Sequence, residues 1–180
     1  FRVLSYEDAI TGGDLEMLGP MNRRTSPGYP WCVGNTSKGK TEWLGALSED
    51  YVVYNSELKA ACEELERRMR QNQRGDVVFM AQLKDERRPI EKVNEGKTRV
   101  FEASPMHYVL VFRKYFGSFI DHIMLPKNRI RNEVCVGINP ESIEWEKLAQ
   151  TLRSKGDKVI AGDFSNFDGS LPTKGIAAIC

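Results

Sequence analysis

Asp163-Phe164-Ser165-Asn166-Phe167-Asp168 places two aspartates five positions apart, just after the apolar run Val159-Ile160-Ala161. A carboxylate at the end of a buried strand can hold a hard cation through its oxygens. A second carboxylate past a short turn would point into the same cleft. Nucleotidyl transfer by two metal ions requires such an arrangement, in which one ion activates a 3′-hydroxyl and both stabilise the pentacovalent phosphate. The same residues also describe a strand ending in an Asx-rich turn, because Asp, Asn and Gly favour turns. On spacing alone the turn is the commoner explanation.

A second group with chemical capacity is Lys84-Asp85-Glu86-Arg87-Arg88, followed by Lys92, Lys97 and Arg99. Six cations stand against four acids in the sixteen residues 84–99, a modest basic excess rather than a polybasic tail. Composition alone reads this as a solvated charged loop between two strands. The functional reading is a channel for a triphosphate, with Arg giving bidentate contacts and Lys a point charge. Thr25-Ser26-Pro27-Gly28-Tyr29-Pro30-Trp31 is a tight turn anchored by two aromatics. Tyr29 and Trp31 could also offer rings to a nucleic-acid strand; the structural explanation comes first. Val136-Gly137-Ile138-Asn139-Pro140 is explained by helix capping and carries no chemistry of its own.

The elements that must position these groups follow from periodicity. Residues 1–50 are rich in turn formers and read as loops and extended chain. Residues 56–73 form an amphipathic helix with Leu58, Ala61, Cys62, Leu65 and Met69 on one face, capped by Asn55 or Ser56. Strands are expected over 77–81 and 97–103. Residues 108–124 read as a helix burying Val109, Phe112, Phe116, Phe119, Ile120 and Ile123. Asn139-Pro140-Glu141 reads as a helix start, with Trp145, Leu148, Ala149 and Leu152 as the apolar stripe. A buried strand over 158–164 then delivers Asp163, and Gly175 to Cys180 opens a last helix.

The 180 residues suffice for an ordinary core, with 41% apolar and 28% charged positions. No apolar run approaches the roughly 20 residues of a membrane span, and no signal peptide is recognisable. Cys32, Cys62, Cys135 and Cys180 are scattered without a C-x-x-C pair, which argues against structural zinc and fits a reduced, intracellular setting. The net charge of +1 gives no hint of a nucleic-acid partner. The chain reads as a piece of a longer protein.

Taken in order, these segments resemble the RNA-dependent RNA polymerases of picorna-like positive-strand RNA viruses, in particular the dicistrovirus and iflavirus branch. Thr25 to Pro30 is similar to that family's TS-x-GYP segment, Lys84 to Arg88 to its KDE-x-R element, and Gly96 to Ser104 to the continuation G-K-x-R-x-x-x-A-S. Val136 to Pro140 resembles VG-x-(N/D)-P, and Asp163 to Asp168 resembles the first palm motif, D-x4-D. The match covers roughly residues 22–172. Arg87 stands where relatives often carry Leu, and Pro27 where some carry Ala.

The resemblance implies an α+β right-hand polymerase, with residues 1–115 in the fingers and 116–180 beginning the palm. It implies that Asp163, with the Phe164 carbonyl, binds Mg2+ (or Mn2+) in a two-metal site. Asp168 would accept a hydrogen bond from the ribose 2′-hydroxyl; a buried carboxylate without that partner is costly, which selects against deoxynucleotides. Arg99 would stack over the incoming base and contact its phosphates, and Lys84, Arg88, Lys92 and Lys97 would line the entry path. Implied partners are an RNA template, a primer or product strand, NTPs and other viral replication proteins. The implied location is the host cytoplasm at membrane-associated replication complexes. No Gly-Asp-Asp, the family's downstream palm motif, occurs in the chain. Three other readings stay open from the residues themselves: a non-catalytic RNA-binding module, a palm polymerase of other specificity such as a reverse transcriptase, and a purely structural domain in which the motif order is coincidence.

Overall fold

The computed structural model describes residues 1–37, 39–53, 55–165 and 167–179, without the side chains of Asp168 and Ile179. Two compact units divide between Gly137 and Ile138. The first holds helices α1 (Tyr6–Thr11), α2 (Thr41–Leu44) and α3 (Ser56–Arg70), strand β1 (Met80–Leu83), helix α4 (Ile90–Asn94), strand β2 (Val100–Ala103), and helices α5 (Met106–Met124) and α6 (Pro126–Arg129). The second holds α7 (Ile143–Ser154), α8 (Phe167–Ser170) and α9 (Thr173–Ile179). A boundary near residue 115 would fall inside α5, which runs unbroken past it.

The core of the first unit forms where α3 and α5 cross the N-terminal segment. Leu58, Cys62 and Leu65 of α3 meet Met106, Leu110 and Val111 of α5, with Ile10, Met21, Trp31, Trp43 and Leu44 closing the cluster. Asn55 caps α3 by accepting from Leu58 N at 2.9 Å, satisfying an amide that a helix start leaves free. Between the two helices Lys114 Nζ pairs with Glu66 at 2.7 Å. Burial opposes the Glu66 charge, but the ammonium wins and holds its carboxyl below the ordinary range.

Helix α5 buries a different face from the one its large apolar residues suggest. Phe112, Phe116 and Phe119 are each more than 40% exposed, whereas Gly117, Ser118 and Asp121 are buried. The N-terminal segment explains this. Gly117 has no side chain, and Leu4 and Leu18 lie so close that a Cβ there would meet both at 2.7 Å. Ser118 Oγ accepts from Arg2 N and donates to Arg2 O, and Asp121 accepts from Met17 N at 2.7 Å. Small and polar residues permit close backbone approach, so the aromatics turn outward, with Phe112 and Phe116 stacked on each other.

The two strands form one antiparallel hairpin, the only sheet among the described residues, with Met80 opposite Ala103 and Leu83 opposite Val100. It begins later than expected on both limbs. Val77 packs on the core instead of pairing, and Phe79 sets its ring edge-on against Tyr108. On the other limb, Lys97 N returns to Lys92 O to close α4, so pairing starts at Val100.

In the second unit α7 starts three residues after Pro140. Ser142 is its cap, accepting from Glu144 N, while Asn139 makes an Asx turn to Glu141 N. The expected strand over 158–164 does not form. A strand needs a neighbour for its ladder, and none is available among the described residues, so Val159 and Ile160 are exposed. The last helix, α9, forms where expected, and Cys180 lies outside the described residues.

Candidate functional site

The hairpin organises the basic segment. Lys84 N donates to Arg99 O at 2.8 Å, extending the ladder one step beyond Leu83 and Val100. This register sets Lys84 and Arg99 opposite each other at the mouth of the hairpin. Glu86 gathers them: its Oε1 accepts from Arg99 Nε at 2.6 Å and from Arg88 Nη1 at 3.0 Å, while Oε2 pairs with Arg99 Nη2 and lies 3.5 Å from Lys84 Nζ. Hydrogen bonds from Arg99 first, then Arg88, hold the Glu86 carboxyl down at about 2. Three cations on one carboxylate leave a surplus of positive charge in one small volume, which suits an anion carrying several negative oxygens.

The remaining cations behave differently. Lys97 pairs with Glu95 at 2.7 Å on the open surface, where ion pairs contribute little. Lys92 sits on α4 and makes no ion pair among the described residues. The structure therefore brings together Lys84, Arg88 and Arg99 and leaves Lys92 and Lys97 outside that cluster.

An acid titration checks the cluster. A carboxylate whose folded value lies below its ordinary 4.5 contributes stability in full above 4.5, and loses it as pH falls toward about 2. The Glu86 carboxyl resonance is expected to titrate near 2, and Arg99→Ala is expected to raise that midpoint. An ordinary midpoint in the unsubstituted chain would mean the three cations do not converge in solution.

The Thr25–Pro30 turn is fastened to the start of α5, just past the hairpin. Met106 N donates to Pro27 O at 2.8 Å. Gly28, at φ +73°, lies so close to Ser104 and Pro105 that a Cβ would approach their backbone to within 3 Å. Trp31 is 8% exposed, donates from Nε1 to His107 Nδ1 at 2.8 Å and meets Trp43 edge-on. Burial lowers the His107 pKa, which favours the neutral ring that this acceptor role requires. A ring packed in this way holds the turn in place rather than stacking on a base; Tyr29 is the one of the pair with an exposed ring.

Lys40 is the residue here that sequence reasoning missed. Its Nζ donates to Thr25 O at 2.9 Å, to Thr25 Oγ1, and to Asn22 O at 3.2 Å. Burial lowers its pKa to about 8. The residue order offered only a lysine beside a glycine, with no periodicity to mark it as internal. A cavity of about 510 Å³ separates the turn from β2 and α5. Among the described residues its lining includes two cations, Lys40 and Arg113, and no carboxylate.

In the second unit, Asp163 lies on exposed, irregular chain and accepts from Phe164 N at 2.9 Å. The Phe164 ring leans on Phe167 at 5.4 Å. Asp168 falls within α8, and its side chain lies outside the described residues. No group of three potential metal ligands occurs among the described residues. The oxygen chemistry of Asp163 suits a hard cation, but one carboxylate is a fraction of a site.

A family model described as viral RNA-dependent RNA polymerase matches residues 11–179. The chain belongs to that polymerase family. It is 46% identical to the replicase polyprotein of Cricket paralysis virus, covering 99% of the chain and 10% of that polyprotein. The corresponding polyprotein of Acute bee paralysis virus is 45% identical over 94% of the chain and 9% of its own length. The RNA1 polyprotein of Cowpea mosaic virus is 35% identical over 95% of the chain. The chain thus spans about a tenth of the length of these relatives. Among solved structures, a Sicinivirus 3Dpol RNA dependent RNA polymerase superposes with a TM-score of 0.64 at 24% identity, covering 85% of this chain and 30% of that one. The right-hand polymerase fold expected from the ordered motifs is the fold of that match. The picorna-like, dicistrovirus-type resemblance holds across the whole chain.

Proposed function

We propose that this chain supplies the fingers and the first palm carboxylates of an enzyme that adds nucleotides from NTPs to the 3′ end of RNA under the direction of an RNA template. The observation that carries the proposal is the gathering of Lys84, Arg88 and Arg99 on Glu86. Such a cluster binds a triphosphate and neutralises charge as pyrophosphate leaves. On this reading residues 1–115 belong to the fingers and 116–180 begin the palm. Arg99 lies over the incoming base and touches its phosphates, while Lys92 and Lys97 serve the entry path.

Tyr29 meets the RNA strand, with Trp31 supporting the turn from beneath. Asp168 accepts from the ribose 2′-hydroxyl, which favours ribonucleotides. Polymerases of this family use divalent metal ions; Asp163 and the Phe164 carbonyl would hold Mg2+ or Mn2+ together with carboxylates from elsewhere in the polymerase. The bound ions would activate the 3′-hydroxyl and stabilise the phosphate in transfer. The partners are template, primer or product strand, NTPs and other viral replication proteins, at membrane-associated complexes in the host cytoplasm. No helix among the described residues is long and apolar enough to cross a membrane.

The test compares this chain alone with a polymerase that contains it. The complete polymerase is expected to incorporate labelled nucleotide on a primed RNA template with Mg2+. The 180-residue chain is expected to incorporate none, because two-metal chemistry needs further carboxylates. Template-dependent incorporation by the chain alone would refute the division of labour proposed here.

A further inference from the structure

We infer that Lys40 is a positioning residue whose buried ammonium sets the shape of the Thr25–Gly28 turn for RNA binding; this rests on the proposal that the turn meets the RNA strand. Lys40 is 7% exposed. An ammonium has three protons to donate, and all three have acceptors here: Asn22 O, Thr25 O and Thr25 Oγ1. Its backbone is fixed to the same segment, since Lys40 N donates to Arg23 O at 2.8 Å and Gly39 lies against that carbonyl. Among the described residues no carboxylate pairs with it.

Burying an unpaired cation is costly unless polar groups are arranged around it. Asn22 and Thr25 provide that arrangement by turning their carbonyls inward. The entry limb of the turn is therefore set by Lys40, and the exit limb by the Met106 N to Pro27 O bond at the start of α5. Ser26 Oγ, accepting from Gly28 N at 3.2 Å, ties the two limbs together. Removing the Lys40 amine leaves Thr25 O and Thr25 Oγ1 without this donor and Asn22 O with only the Thr25 hydroxyl at 3.1 Å, which frees the entry limb while α5 still holds the exit limb.

A positioning lysine and a phosphate-contacting lysine differ in a measurable way. A lysine on a phosphate releases a counterion on binding, so removing it lowers the slope of log affinity against log salt by about one. A lysine occupied by carbonyls leaves the slope unchanged. The experiment uses a complete polymerase containing this chain and a primed RNA duplex, with Lys40→Met and the milder Thr25→Val. Readouts are RNA affinity at several salt concentrations, KM for NTP, and hydrogen exchange at the amides of Gly28 and Cys32.

The expected result for Lys40→Met is RNA affinity weakened about tenfold with an unchanged salt slope, KM for NTP within about twofold, and faster exchange at those amides. Thr25→Val is expected to change the same quantities in the same direction by a smaller factor, and it keeps the test available if Lys40→Met does not fold. A salt slope lowered by about one would overturn the inference in favour of a phosphate contact. Unchanged RNA affinity in both folded variants would also overturn it, as would RNA and NTP parameters falling together. Tyr29→Ala separates the two levels. If it leaves RNA affinity unchanged, the proposed RNA contact of the turn fails, and the exchange rates alone then decide whether Lys40 shapes the turn.

Discussion

Asp163→Asn in a polymerase containing this chain is expected to abolish RNA synthesis, lowering the rate by about a thousandfold or more. The substitution isolates charge from fold. Asp163 is exposed and, among the described residues, makes no ion pair; its one recorded hydrogen bond accepts from Phe164 N. An Asn oxygen can accept the same bond, and substitutions at open surface positions usually shift stability by no more than about 0.5 kcal/mol. Unfolding of the variant should therefore match that of the unsubstituted protein while activity disappears. Raising Mg2+ or substituting Mn2+ should recover at most a small part, because an amide is a poor ligand for a hard cation. Near-normal synthesis by a folded Asp163→Asn polymerase would remove Asp163 from the metal site. Unchanged stability with lost synthesis would place the defect in the chemistry.

How far the sequence could be read depended on where the determining contacts lie. Helix α3 was legible because its core face is made by large apolar residues at helical spacing, and its cap is the local residue Asn55. Helix α5 was legible as a helix but not in its orientation. What decides its buried face is Gly117 and Ser118 meeting Leu4, Leu18 and Arg2, more than a hundred residues away for the Arg2 contact. The segment before Asp163 shows the opposite limit. Its apolar, β-branched composition favours a strand, yet propensity cannot supply a ladder partner. Among the described residues none is present. The candidate site divides in the same way. The motif order located the basic segment and the Gly-Tyr-Pro turn. The roles of Glu86 and Lys40 come from contacts across the hairpin and across fifteen residues of loop. The interleaved acids of the basic segment permit an internally paired scaffold on sequence alone, but a charged residue's partners are not written in its neighbours, and which acid gathers which cations is decided across the hairpin.

Glu86→Gln is expected to lower kcat for nucleotide addition by about ten- to a hundredfold while leaving KM for NTP unchanged or slightly lower. Two effects oppose each other. Removing the carboxylate that gathers the cluster raises its net charge, which attracts a triphosphate more strongly. Arg99 and Lys84 are about half exposed, so solvent and salt screen that gain to a fewfold at most. Against it stands geometry. Glu86 accepts two bonds from Arg99 and one from Arg88, and a neutral amide can neither accept from both guanidinium groups with the same strength nor offset their mutual repulsion. Arg99 then loses its fixed orientation, and a misplacement of about 1 Å in a group that positions the reacting phosphate can cost about a hundredfold. The geometric term wins in kcat and the electrostatic term shows only in KM. Rising salt should erase the KM advantage and leave the kcat defect in place. Glu86→Asp, which keeps the charge on a shorter arm, should recover part of kcat and show no KM change. A Glu86→Gln polymerase with unchanged kcat would mean that Arg99 holds its position without Glu86, and the positioning role given to Glu86 would fail.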